Sequence, residues 1–210
     1  MTALDSHQYW LMPNGRFLRN FQKPVLVAFA YFVGAEIAFL IGTLSDRIFA
    51  PFWPPNVILL CALLAAPKQQ WWLYILFAFP AHAIAEAGIG MNLFQMLVAF
   101  ATNCILAVAS AAAIRTQIDG PPFGTLKNTG TYILIVGLLV PAAVAFGGAF
   151  VPITGGANID RYWRYWAEWY ASNALGGLTL GPAILIWLNY GPWPLKIRSR
   201  PRFIEAAERI

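Results

Sequence analysis

Charged residues make up only 11% of this 210-residue chain, less than half the roughly one quarter usual in soluble domains, which excludes an ordinary water-soluble fold. Cysteine is nearly absent. Cys61 and Cys104 each sit inside an apolar run and supply neither a disulfide framework nor a thiolate metal site. The two histidines are far apart, with His7 in the polar N-terminal segment and His82 in an apolar run, so no metal ligand set is assigned. A Ser/His/Asp arrangement, a phosphate-cradling glycine loop, a nucleotide fingerprint and zinc-type spacing are all missing. No catalytic residue and no cofactor are therefore predicted. Residues 1–23 have neither a long apolar core nor a small-residue cleavage site, which argues against a removable signal peptide.

Long apolar runs fill the chain instead. At about 20 residues per membrane crossing, they predict helices over residues 24–43, 54–66, 71–88, 93–114, 129–150 and 170–188. The expected fold class is all-α: a polytopic integral membrane bundle of about six transmembrane helices. Its parts are a basic N-terminal segment (1–23), the transmembrane domain (24–190) and a basic C-terminal segment (191–210). Eleven of the Lys and Arg residues fall on one side of these spans and three, Arg47, Arg161 and Arg164, on the other. The excess of positive charge predicts that both termini are cytoplasmic. The net charge of +5 then faces anionic lipid head groups rather than nucleic acid.

Polar groups inside the runs are the candidates for function. Glu36 lies in the first predicted helix, and His82 and Glu86, four residues apart on one face, lie in the third. An ionised carboxylate in a bilayer costs several kcal/mol unless paired, hydrated or protonated, so both acids are expected to face protein or water. Contact between His82 and Glu86 would make a pH-responsive pair, the alternative being that they only fix helix packing. Asn92, Asn103 and Asn173 are expected to supply interhelical hydrogen bonds.

The second run is irregular, because Pro51, Pro54 and Pro55 delay a regular helix until about residue 54. The preferred reading starts that helix at the membrane interface with Trp53 as anchor. The alternative brings residues 48–53 into the bilayer and leaves a helix N-terminus there, open to a polar ligand group. Gly147-Gly148, Gly155-Gly156, Gly176-Gly177 and Gly181-Pro182 mark close helix approaches. Residues 160–170, with aromatics and charges at helical spacing, predict an amphipathic interfacial helix.

Two stretches resemble the bacterial membrane-associated sensor family MASE1. Trp53-Pro54-Pro55-Asn56-Val57, with the aromatic turn at 68–72, is similar to the family's W-P-P-x-G signature. Trp169, Asn173, Gly176 or Gly177, and Pro182 resemble its W…D…G…P block. Asn56-Val57 stands where a small residue and glycine are usual, and Asn173 where aspartate is usual. The resemblance implies a sensory input module of the bacterial inner membrane, from a family of about eight helices that feeds a histidine kinase or diguanylate cyclase. Residues 198–210 resemble the entry to a seventh helix, so a truncated chain is expected. A second reading makes 201–210 a signalling helix supported by Glu205 and Arg209.

The expectation is thus a non-enzymatic sensor. Its ligand or proton would act at Glu36, His82 and Glu86, with Trp53, Asn56 and Asn173 as further ligand-binding candidates. The expected partners are the lipid bilayer, a cytoplasmic output domain in cis or in trans, and a second copy in a homodimer. The alternative is a small transporter or channel component using its intramembrane carboxylates. An integral membrane enzyme ranks last.

Overall fold

The computed structural model describes residues 14–44 and 52–190, and all regular structure within them is helical. Residues 1–13, 45–51 and 191–210 lie outside the described residues. With them lie most of the N-terminal basic segment, the approach to the short second helix and the predicted entry to a seventh helix.

Among the described residues six helical rods follow one another: α1 (Asn14–Leu44), α2 (Pro54–Ala65), α3 (Trp71–Gly88), α4 (Leu93–Gln117), α5 (Leu126–Thr154) and α6 (Tyr162–Tyr190). The segments Phe21–Gly42, Leu93–Gln117, Leu126–Thr154 and Ile159–Leu188 are long and apolar enough to cross a membrane. Their distribution of side chains is inverted relative to a protein in water. Phe29, Ile84, Leu93 and Phe94 point outward, each more than 60% exposed, while Asn56, His82, Glu86, Asn103, Ser110 and Asn173 are buried. Apolar atoms outside and hydrogen-bonded polar atoms inside are what a lipid solvent selects. The chain is a membrane protein.

α2 holds the centre, with Leu59, Leu60, Leu63 and Leu64 buried among α1, α4 and α6. It has 12 residues, about 18 Å at about 1.5 Å each, against an apolar layer about 30 Å thick. Its C-terminal end is closed by α4: Arg115 donates to the carbonyls of Leu63 and Leu64, both at 3.0 Å, and to that of Ala66. Trp71 donates to Leu63 at 2.8 Å and lies under the same guanidinium. A cation there satisfies carbonyls that the helix cannot and complements its dipole.

The N-terminal end of α2 is inside the bundle. Pro54, Pro55, Asn56 and Val57 are all buried, and Asn56 meets Asn103 and Asn173 near the middle of α4 and α6. The preferred expectation of a start at the interface is corrected. Two consecutive prolines need no intrahelical donors in a first turn, and the small residues Gly34 and Gly176 leave room beside Pro54 and Trp53.

α5 is not a uniform helix. Residues Ile133–Leu139 form a wide π-type turn just before Pro141. The proline supplies no N–H to the Gly137 carbonyl, and the Tyr170 hydroxyl of α6 donates to it at 3.1 Å instead. One level away, Tyr132 of α5 donates to the Gly177 carbonyl at 2.8 Å. A side chain at Gly177 would run into Val136, and one at Gly181 into the Tyr132 hydroxyl, so the glycines mark a close crossing as expected.

The aromatic stretch 160–170 is not a separate interfacial helix: residues 162–170 are the first turns of α6, and 160–161 belong to the short turn before it. Nothing in it breaks a helix, and Asn158 starts the preceding turn by accepting from the Asp160 N–H at 2.9 Å. Tyr165 and Trp169 turn inward, while Arg164 and Glu168 pair at 2.8 Å on the outer side.

Candidate functional site

Three asparagines converge where α2 begins. Asn56 Nδ2 donates to Asn103 Oδ1 at 2.9 Å and to Asn173 Oδ1 at 2.7 Å. Asn173 Nδ2 donates to the Trp169 carbonyl at 3.0 Å, one turn back along α6. Asn103 has given its oxygen to Asn56, and its side chain lies beside the Tyr31 hydroxyl of α1. Tyr31 in turn stands 3.3 Å from His82 Nδ1.

His82 fixes the direction of these bonds. Its Nε2 lies 3.2 Å from the Met96 carbonyl, a group that can only accept, so Nε2 carries the hydrogen. In the neutral ring Nδ1 is then a bare acceptor, and Tyr31 donates to it. Glu86, one turn further along α3, brings Oε1 to 3.7 Å from the same Nδ1. The ring is held edge-on to Tyr31 and against Phe100. His82, Tyr31, Glu86, Asn56, Asn103 and Asn173 are all buried. A single polar line therefore runs Glu86, His82, Tyr31, Asn103, Asn56, Asn173 through α3, α1, α4, α2 and α6.

Three buried atoms beside this line have no hydrogen-bond partner: Glu86 Oε2, Asn56 Oδ1 and Trp53 Nε1. Asn56 and Asn173 also line a cavity of about 10 Å³ with Ser110, Val136 and Pro141, space for about one water molecule. Acceptors without donors in an apolar bundle are sites where a proton, a water or a small donor group would be held.

Five of the six sequence-predicted residues are at or beside this line. Asn56 and Asn173 are bonded directly, His82 and Glu86 adjoin, and Trp53 precedes α2 and packs on Phe39. Glu36 is the correction. It is exposed, on the α1 face formed by Phe29, Val33, Ile37 and Leu40. Five residues past Tyr31, at about 100° each, it points roughly 140° away from the inward side, and so it does not join His82 and Glu86. Tyr31 was missed as a site residue, although a lone phenol in the middle of an apolar run was its signal, and Asn103 was read only as packing. Among the described residues, no group of three His, Cys, Asp or Glu side chains gathers to hold a metal, and Cys61 and Cys104 are free.

No family model matches the chain, and neither a curated protein nor a solved structure is matched by it.

Proposed function

We propose that this chain is a membrane-embedded sensory input module, which takes up a proton or small polar ligand at the buried polar line and passes the change to a cytoplasmic output domain in cis or in trans. The observation that supports this reading is the line itself, which bonds α1 to α3 and α2 to α4 and α6, with Tyr31 and Asn103 side by side where the two groups meet. Ionisable groups inside a membrane are costly to place and mark functional sites, and a bonded line converts one altered donor into a shift of helix packing. The resemblance to MASE1, carried by Trp53, Pro54, Pro55, Trp169, Gly176 and Pro182, supports the sensory class. It also supports a place in the bacterial inner membrane, while six spans and two cytoplasmic termini are supported by the apolar runs and the one-sided Lys and Arg count. In this reading any enzyme is the output domain, and a homodimer is the natural unit for passing on the signal.

A second reading, a small transporter or channel component, is favoured by α2, since a helix that begins inside the bundle is a device of transporters. Reconstitution separates the two. A sensor changes its amide hydrogen exchange with pH or added solute in nanodiscs and moves no ion or solute in sealed liposomes. Flux would replace the sensory reading with transport, and silence in both assays would overturn both. Reporter fusions at the two ends test the orientation: activity of a cytoplasmic reporter at each is expected.

A further inference from the structure

We infer that Glu86, His82 and Tyr31 form a one-proton site whose occupancy is relayed by the Tyr31 hydroxyl to the N-terminus of α2. The inference rests on the sensory reading for its purpose, and on the hydrogen-bond geometry for its content.

The Met96 carbonyl keeps one hydrogen on His82 Nε2 at all times. The opposite nitrogen, Nδ1, faces two oxygens, the Tyr31 hydroxyl at 3.3 Å and Glu86 Oε1 at 3.7 Å. With the site empty, Glu86 is a carboxylate, His82 is neutral, and Tyr31 gives its hydrogen to Nδ1. One proton arriving from water settles between Nδ1 and the Glu86 carboxylate, and the pair goes from a charge of minus one to zero. Whichever of the two atoms holds that proton, it occupies the side of Nδ1 that Tyr31 used. The tyrosine must then turn its hydrogen elsewhere, and Glu86 Oε2, buried and without a partner, is the unfilled acceptor beside the pair.

That turn does not stay local. Asn103 lies beside the Tyr31 oxygen, and the Asn56 amide donates to both Asn103 and Asn173. Asn56 is the third residue of α2, so the last link of the relay is the start of a helix whose two ends are both held by other helices. The titratable groups facing the pair among the described residues are few. Tyr31 faces it from α1, and Cys104 of α4 adjoins Tyr31. α2 presents the Asn56 amide, and Glu36 lies on the outer face of α1.

The test is pH-difference infrared spectroscopy of the full chain in nanodiscs, combined with amide exchange over the first turns of α2. The expected result is a protonated-carboxyl stretch that grows on acidification, persists in Glu36→Gln and is lost in Glu86→Gln. If Glu86→Gln does not accumulate, Glu86→Asp, which keeps the acid and moves the band, makes the same assignment. Tyr31→Phe is expected to retain the band and lose the pH-dependent change in α2 exchange. A band that survives Glu86→Gln unchanged, or no band at all, overturns the proton site even if the protein responds to some other solute. Identical α2 exchange with the band present and absent overturns the relay. A proton site and relay that pass both tests in a protein that conducts ions would leave the inference standing and remove the sensory reading.

Discussion

The side-chain amide of Asn56 reaches Asn173, 117 residues further along the chain, at 2.7 Å, and the same nitrogen serves Asn103. Both hydrogens of one amide are therefore committed to two other helices. Asn56→Ala strands two buried carbonyl oxygens and is expected to cost about 1–2 kcal/mol. Asn56→Asp sets a carboxylate against the same two oxygens and is expected to cost at least about 3 kcal/mol. Unfolding of the purified protein in mixed micelles gives both numbers, and equal effects of the two variants would show that the amide donors do not matter.

Arg115 is the cap of α2. Its guanidinium serves three carbonyls at the last turn, so Arg115→Met keeps much of the stem and removes the donors. A loss of about 1–2 kcal/mol is expected, with faster amide exchange over residues 62–66. Arg115→Lys should recover less than half of it, because a single ammonium cannot match the planar fork.

Gly181 and Tyr132 are coupled by space. A methyl at residue 181 would fall on the Tyr132 hydroxyl, and overpacking of this kind costs about 1–3 kcal/mol. In a Tyr132→Phe background the hydroxyl is gone and the nearest atom is the ring Cζ, at 3.2 Å, so Gly181→Ala is expected to cost less there than in the parent. A double-mutant cycle measures the difference, and strict additivity would refute the contact.

Glu36 and Glu86 look alike in the sequence, each an acid in an apolar helix, yet the structure gives them opposite surroundings. Because Glu36 is exposed on the outer apolar face of α1, Glu36→Leu breaks no packed contact and is expected to leave stability unchanged or raised. A loss above about 2 kcal/mol in micelle unfolding would mean that this carboxylate packs inward.

The helices were legible because apolar runs and prolines delimit them. The limits of α3 match the predicted residues, and those of α2 and α4 differ only at their C-terminal ends. α6 begins earlier than hydropathy alone indicates, since Trp163, Arg164 and Glu168 lower the average without interrupting the helix. Within the site, the His82 and Glu86 pairing follows from spacing on one helix. Its partners do not. Tyr31, Asn103 and Asn173 meet their neighbours across helix contacts, and the rotation of each helix about its own axis, which puts Tyr31 inside and Glu36 outside, depends on packing that a single run of residues does not encode. The two prolines of α2 were visible, but the depth at which that helix begins is decided by Asn103 and Asn173.

α2 also sets an order of assembly. Twelve residues long and anchored at one end by Arg115 and at the other by Asn103 and Asn173, it has no stable place in lipid when it leaves the ribosome. Its anchors are synthesised roughly 40 to 120 residues later, a matter of several seconds at about 5–20 residues per second. Until Asn173 arrives, the segment must wait at the insertion machinery or at the bilayer surface. Maturation of this protein is therefore expected to end with the insertion of an early helix between late ones, and substitutions at Asn173 should be felt first as a defect in biogenesis.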